Sequence, residues 1–263
     1  MNLCKKKIRW NIQVDDFLKE NERIDQLYSN DIKIIQNPEV FSFSLDAVLL
    51  SDFAKLPKKS ASKTVDLCAG NGAVGLFMSH KTNGHIYEIE LQDKLADMAK
   101  RSVSLNDLDD KLTVINDDLD NTFDYVEKDS VDVITCNPPY FPDLEDSKKN
   151  PNPYLAIARH EITTNLDKIL TVCEGLLKTN AKAFFVYRPD RMLELFDAMQ
   201  SHNVMPKRIQ YIYPREGKES NMILVEGIKA GKNGGTKVLP PIFVYKDNSN
   251  EYTDFVRKIL YGE

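Results

Sequence analysis

The chain of 263 residues is 42% hydrophobic and 29% charged, which is typical of a globular protein with one large domain or two small ones. It has no apolar run long enough for a membrane span, no secretion signal and no paired cysteines. We therefore expect a cytoplasmic protein with reduced thiols, without a disulfide framework or a metal site. The net charge of −5 argues mildly against a nucleic-acid partner, although bases outnumber acids between residues 159 and 237. By charge alone, solvated surface is the better interpretation of that excess.

The first sixty residues predict a small N-terminal extension that packs on the rest of the chain. Residues 24–35 contain an alternation of apolar and polar residues that favours a strand, and residues 44–54 predict a helix with Ser44 as a plausible N-cap. Pro57 and the polar residues after it indicate a boundary. The predicted division is an extension at 1–60, a main domain at 61–237 and a tail at 238–263 that docks on the core.

Beyond that boundary, predicted strands and helices alternate. The pattern predicts strands at 63–67, 85–89, 112–115, 131–136 and 181–187, helices at 73–78, 94–106, 166–177 and near 192–199, and a closing strand pair at 208–213 and 222–226. Such alternation predicts an α/β fold with a mostly parallel, seven-stranded sheet and helices on both faces.

Three successive strand ends carry groups that suit a nucleotide-like ligand. The first ends in Asp66 and leads through Gly70 and Gly72, where glycine allows the backbone to approach a ligand closely. The turn matches neither a P-loop nor the GxGxxG pattern. The second strand ends at Glu90, which could accept hydrogen bonds from both ribose hydroxyls, and Asp118 after the third could accept from an adenine amino group. Each signal alone could be ordinary surface charge, but together they predict a site at the carboxyl edge of the sheet.

The fourth strand runs into the most informative segment, Asn137, Pro138, Pro139, Tyr140 and Phe141. Two prolines could simply terminate a strand, but that leaves the asparagine and the aromatics unexplained. The asparagine side chain and the carbonyl of the first proline could together clasp an NH₂ group and stabilise the positive charge that develops when its nitrogen attacks an electrophile. The tyrosine ring could stack on a base.

These segments resemble Rossmann-like amino-methyltransferases that use S-adenosylmethionine. Further segments, at 41–50, 95–103, 158–161 and 187–189, are similar to bacterial tRNA1(Val) adenine-37 methyltransferases, and the resemblance covers nearly the whole chain. It implies a Rossmann-like methyltransferase fold, a tRNA substrate methylated on adenine N6, and neither a membrane nor an obligate protein partner.

The resemblance also implies residue roles. The methionine and ribose of the cofactor would be bound around Asp66, Gly70 and Gly72, its ribose hydroxyls by Glu90, its adenine by Asp118, and the target amine by Asn137 and Pro138, within a turn completed by Pro139 and with Tyr140 against the target ring. Cys68 stands where many relatives have glycine, and the neighbouring Asp117 leaves the adenine ligand ambiguous by one residue.

A second set of candidate substrate contacts follows the turn. Phe141 is one of them, and Arg159 is the other. Arg159 follows a loop rich in Asn and Pro at 150–153 that could order on RNA, with Arg159 meeting phosphate; an ion pair of Arg159 with Glu161 or another acid is an equally good interpretation. His160 is more simply explained as structural, since this chemistry demands no proton shuttle.

Other functions share much of this pattern. A glutamine methyltransferase acting on release factors uses the same motif, because a side-chain amide is also a weak amine, and ribosomal RNA is a third possible substrate. A non-catalytic RNA-binding module on the same fold is the alternative from another class, although a binder would have no need to clasp an amine. DNA adenine methylation and nicotinamide chemistry are less favoured, for want of a large recognition domain and of GxGxxG respectively.

Overall fold

The computed structural model describes residues 14–40, 43–139 and 164–263, which form an α/β architecture. The strands are β1 Arg23–Leu27, β2 Ile32–Gln36, β3 Lys63–Leu67, β4 His85–Glu90, β5 Leu112–Asn116, β6 Val131–Cys136, β7 Leu177–Tyr187, β8 Val204–Tyr213, β9 Met222–Lys229, β10 Lys237–Val238 and β11 Ile242–Phe243. The helices are α1 Leu45–Phe53, α2 Ala73–Met78, α3 Asp93–Leu105, α4 Thr122–Tyr125, α5 Leu166–Leu176, α6 Met192–Ser201 and α7 Asp254–Tyr261.

The central sheet has the strand order β5-β4-β3-β6-β7-β9-β8, with β10 and β11 pairing with β8. Strands β3 to β7 all run parallel to one another, and β9 is antiparallel to both of its neighbours. The mostly parallel α/β fold is confirmed, and the seven long strands are those that the periodicity predicts. The sheet of the described residues has nine strands, because two segments of two residues each extend it beyond β8.

Both faces of the sheet are covered, as the alternation of side chains along each strand requires. Helices α1, α2 and α3 pack on one face around Leu76, Phe77 and Phe184. Helices α5 and α6, with the short α4 beside them, pack on the other around Leu170 and Phe185. Because strands β3 to β7 are parallel, they all end at one edge of the sheet, and the loops that follow them converge there.

The N-terminal extension is a two-stranded hairpin and not the single strand that the alternation suggested. Strands β1 and β2 pair antiparallel, and Asp31 at the turn between them has a left-handed backbone with φ 55°. The hairpin is tied to α3 by Ser102, whose Oγ accepts from the Ile35 N–H at 2.9 Å, and by Arg101, which makes a two-pronged ion pair with Glu22 at 2.6 and 2.7 Å.

We expect Arg101→Met to destabilise the protein by about 3 kcal/mol, because it leaves the Glu22 carboxylate, only 6% exposed, without its counter-ion. Arg23→Met is the matched control, since the Arg23–Asp25 pair is 50% and 35% exposed and should contribute less than about 1 kcal/mol. Urea unfolding followed by circular dichroism measures both. Equal losses for the two variants would contradict a special contribution from the Arg101 pair.

The C-terminal segment contacts the N-terminal part of the chain. Val256 in α7 is fully buried, and the Ser29 hydroxyl donates to the Ile259 carbonyl at 2.7 Å. The division into extension, main domain and tail stays a prediction. Over the described ranges, no helix combines the length and the apolar character that crossing a bilayer requires.

Candidate functional site

A cavity of about 380 Å³ opens at the carboxyl edge of the sheet, where the loops after β3 to β7 meet the start of α1. The residues singled out from the sequence that line it are Gly70, Glu90, Asp117, Asp118, Asn137, Pro138 and Pro139. Asp66 and Gly72 lie behind this surface and do not line it. Tyr140, Phe141, Arg159, His160 and Glu161 fall outside the described residues.

The turn after β3 is built from left-handed backbone conformations. Cys68, Gly70 and Gly72 have φ values of 58°, 60° and 82°. A side chain at Gly72 would also meet the Glu88 carboxylate, because an added Cβ would lie 2.8 Å from Oε2. Cys68 adopts the left-handed conformation without being glycine, which costs roughly 1–2 kcal/mol and explains why glycine suits this position.

Glu90 stands at the end of β4 and is held from two sides. Its Oε2 accepts from the Gly70 N–H and its Oε1 from the Gln92 N–H, both at 2.8 Å. Burial raises the pKa of Glu90, and the hydrogen bonds from Gln92 and Gly70 oppose that increase. Each oxygen keeps a further lone pair, so Glu90 can accept two more hydrogen bonds from a ligand with adjacent hydroxyl groups.

The two aspartates after β5 both line the cavity but differ in how their oxygens are engaged. Asp117 accepts from the Asn121 side chain and the Asp118 N–H through Oδ1, and from the Tyr125 hydroxyl through Oδ2. Asp118 uses Oδ1 for Lys168 at 2.6 Å and for the Asp120 N–H, while no described donor contacts its Oδ2. Asp118 therefore has the more available acceptor, which favours it over Asp117 as an adenine ligand.

Asp118 and Lys168 form an ion pair on the wall of the cavity. Burial opposes ionisation of Asp118, but the hydrogen bonds from Lys168 and from the Asp120 N–H outweigh it and lower the pKa of this carboxyl. The carboxylate is therefore kept in its charged, accepting form.

Asn137, Pro138 and Pro139 leave the end of β6 and line the cavity. The side-chain nitrogen of Asn137 donates to Oδ2 of Asp46 at 3.1 Å. No described donor contacts the Asn137 side-chain oxygen or the Pro138 carbonyl. The Asn137 oxygen and the Pro138 carbonyl are acceptors that could bind an amine. They belong to the same cavity as the carboxylates of Glu90 and Asp118, which could bind a nucleoside.

Behind the cavity, a row of polar side chains crosses three adjacent strands. Asp66 is paired in register with Thr135 on one side and Glu88 on the other, and the Thr135 hydroxyl donates to Asp66 Oδ1 at 2.6 Å. Asp66 Oδ2 and both Glu88 oxygens have no partner among the described residues. Burial raises the pKa of Asp66 to about 7 and the pKa of Glu88 well above its usual value. Contact between Asp66 and a ligand stays a prediction.

Three charged residues of the cavity wall were missed in the sequence: Asp46, Lys168 and Arg188. Asp46 and Arg188 fall within segments that carried the family resemblance, so that resemblance was the available signal. Ser44 occupies the predicted N-cap position of α1, but its hydroxyl bonds Asp46 instead of a backbone N–H, which a capping pattern alone does not reveal. Nothing in the sequence connects Lys168 with Asp118, fifty residues earlier.

Among the described residues, Cys68, Cys136 and Cys173 are free thiols. Cys68 lines the cavity and contacts Cys136 at the end of β6. Burial raises the pKa of both Cys136 and Cys173, so these thiols stay protonated and act as small apolar side chains.

Comparison with known proteins gives matches across this region. Residues 31–198 match the family model described as the methyltransferase small domain. A tRNA1(Val) (adenine(37)-N6)-methyltransferase of Aliivibrio salmonicida is 26% identical over 184 residues, which cover 70% of this chain and 75% of the relative. The protein of the same name from Aliivibrio fischeri is 32% identical over 144 residues, which cover 54% of this chain and 58% of the relative.

Among solved structures, an Agrobacterium tumefaciens protein described as a predicted O-methyltransferase superposes with a TM-score of 0.64 at 21% identity. The match covers 82% of this chain and 96% of that protein. At this identity it shows the fold alone, which is the Rossmann-like methyltransferase fold.

Proposed function

The chain belongs to the methyltransferase small domain family, and from that premise we propose that it transfers a methyl group from S-adenosylmethionine to the exocyclic N6 of an adenine in tRNA. One observation carries the proposal. Asn137 and Pro138, two acceptors suited to an NH₂ group, line the same cavity as Glu90 and Asp118, two acceptors suited to a nucleoside.

The cavity fits the cofactor by the chemistry of its donors and acceptors. Glu90 is fixed by two backbone N–H groups and keeps lone pairs for the 2′ and 3′ hydroxyls of a ribose. Asp118 keeps one oxygen for an adenine amino group. Gly70 lines the cavity, and an added Cβ there would meet nothing within 4 Å, so the backbone stands open to a ligand. Bound S-adenosylmethionine supplies an electrophilic methyl group on its sulfonium.

Asn137 and Pro138 make the adenine amine, which is the nucleophile, more reactive. The lone pair of an adenine amine is delocalised into the ring, so the free amine is a poor nucleophile. Acceptors on both of its hydrogens favour a pyramidal nitrogen and free the lone pair for attack. The same two oxygens stabilise the positive charge that develops on the nitrogen, and the methylated aminium then loses a proton without a dedicated base.

The choice of tRNA rests on the relatives and on the place of the target adenine in the tRNA. The two Aliivibrio relatives are named for adenine 37 of tRNA1(Val), and we propose the same target here. That adenine lies in a single-stranded loop, where a base can be turned outward at lower cost than in a duplex. The cytoplasmic location expected from the sequence agrees with a tRNA substrate.

The test is incubation with labelled S-adenosylmethionine and, separately, total tRNA, ribosomal RNA and a release factor, followed by nucleoside or peptide mass spectrometry. We expect label in tRNA as N6-methyladenosine. A valine tRNA transcript with guanine in place of adenine 37 is the matched control and should remain unlabelled. Label confined to ribosomal RNA or to glutamine would replace the proposed substrate, and no label in any of the three would reject the activity.

We expect Tyr140→Ala to slow methylation by roughly tenfold or more, because stacking of a base on an aromatic ring contributes about 1–3 kcal/mol. Tyr140 lies outside the described residues, so this prediction comes from the sequence. Tyr140→Phe keeps the ring and should stay close to wild type. A rate within twofold of wild type for the alanine variant in a single-turnover assay would reject stacking as an important contribution.

A further inference from the structure

The side-chain amide of Asn137 can serve an amine only in one of its two orientations. Rotated by half a turn, it would present its NH₂ group to the target amine, and two donors would face each other. We propose that Asp46 is the positioning residue that holds Asn137 with its oxygen toward the cavity. This inference rests on the proposed function, because it assigns Asp46 a role in presenting the same amine.

The contact between the two side chains decides the orientation. A carboxylate only accepts hydrogen bonds, so the atom of Asn137 that lies 3.1 Å from Asp46 Oδ2 has to be the amide nitrogen. The oxygen and nitrogen of a planar amide diverge from one carbon, so the oxygen of Asn137 faces away from Asp46. Both residues line the cavity, and Asn137 therefore presents an acceptor there.

Asp46 is itself fixed firmly enough to act as a reference. Its side chain lies in the first turn of α1, and the residue is only 5% exposed. Oδ1 accepts from the Ala47 N–H at 2.9 Å and from the Ser44 hydroxyl, and Oδ2 accepts from the Asn137 side chain. These described donors contact both oxygens of the carboxylate, so rotation of the Asp46 side chain would break several hydrogen bonds at once.

The charge of Asp46 adds to its geometric effect. A hydrogen bond to a buried carboxylate polarises the amide and increases the negative charge on its oxygen. That oxygen is the one that meets the nitrogen on which positive charge develops during transfer. Asp46 acts through Asn137 and does not itself contact the amine.

Asp46→Asn tests the role with little change in size. The new amide has a single oxygen, while donors stand on two sides: the Ala47 N–H and the Ser44 hydroxyl on one side, and the Asn137 amide on the other. If the new oxygen stays with the Ala47 N–H, the new NH₂ group faces Asn137 and forces the Asn137 amide to turn around. If the new oxygen bonds Asn137 instead, the new NH₂ group faces the Ala47 N–H, and two donors meet. We expect kcat to fall at least tenfold, with the KM for tRNA and the Kd for S-adenosylmethionine within twofold of wild type.

Two further variants separate positioning from a structural role. Asp52→Asn lies on the same helix at an exposed position and should keep wild-type turnover and Tm. In the Asn137→Ala background, Asp46→Asn should cause no further loss, because the group through which it acts is already gone. A loss of the same factor in both backgrounds, or a kcat within twofold of wild type for Asp46→Asn alone, would overturn the inference.

The orientation can also be read without turnover, by nuclear magnetic resonance of the asparagine side-chain amides in the full-length protein. The pair of signals that Asn137→Ala removes identifies Asn137, and Asp46→Asn should shift it and speed its hydrogen exchange. Unchanged signals would overturn the inference whatever the activity. If the wild-type enzyme methylates no amine while these signals respond as expected, the proposed function fails and the Asp46 contact stands.

Discussion

Turnover of the Asn137→Ala variant is expected to fall by roughly a hundredfold or more, while S-adenosylmethionine still binds. The substitution removes one of the two acceptors proposed for the target amine. Glu90 and Asp118, the acids proposed to bind the cofactor, are held by backbone N–H groups and Lys168, so their geometry does not depend on Asn137. Single-turnover rates and calorimetric cofactor binding measure the two effects separately.

The matched control for this substitution is Asn83→Ala. Asn83 is an exposed asparagine that precedes β4, at the edge of the sheet opposite the cavity, and its side chain donates to the Lys58 carbonyl. Turnover of this control should equal that of wild type. An Asn137→Ala enzyme that keeps wild-type turnover would count against the amine clasp, and one that loses cofactor binding in parallel would assign Asn137 to the cofactor instead.

A second large effect is expected on stability as a function of pH. Burial raises the pKa of Asp66 from 3.8 to about 7, so the native protein keeps a proton that the unfolded chain releases. The resulting stabilisation is fully present below the unfolded pKa and is lost as the pH rises through about 7. Between pH 5 and pH 7, the titration of Asp66 alone should lower the free energy of unfolding by about 2 kcal/mol. Glu88, whose pKa burial raises well above its usual value, acts in the same direction.

Urea unfolding of the ligand-free protein at several pH values between 5 and 8 measures this loss. Asp66→Asn and Glu88→Gln each remove one titrating group and keep its size, so each should flatten the dependence of the unfolding free energy on pH. Burial lowers the pKa values of His80 and His85, which opposes the loss below about pH 6.5, but this contribution is common to all three proteins and cancels in the differences. Slopes equal to that of wild type in both variants would contradict the assignment.

Most of the fold could be predicted from local periodicity. Strands β3 and β6 begin and end where the sequence predicts, and helices α3 and α5 differ by a single residue at their ends. Buried parallel strands read as short apolar runs, and amphipathic helices repeat every three to four residues, so both signals are local. Strand β7 begins four residues before its predicted start, because Leu177 pairs with Val131 of β6. The register of the two strands shifts between Val131 and Val133, and the hydrophobic periodicity of β7 gives no sign of this pairing.

The candidate site was predicted in part. Gly70, Glu90, Asp118 and Asn137 line one cavity, and each lies at or just after the end of a strand at the same edge of the sheet. The rule that ligands bind at the carboxyl ends of parallel strands was sufficient to group them. That rule says nothing about which way a side chain points along the strand. Asp66 is buried and does not line the cavity.

By itself, the sequence determined which segments become strands and helices, which strand ends carry acids, glycines or the asparagine–proline turn, and which family the chain resembles. These properties depend on neighbouring residues or on motifs a few residues long. Only the tertiary structure decided that Asp46 meets Asn137, that Lys168 neutralises Asp118, and that Thr135, Asp66 and Glu88 share one buried row. Each of these contacts joins positions that are far apart in the chain, and they meet only because the order of strands in the sheet brings their elements together.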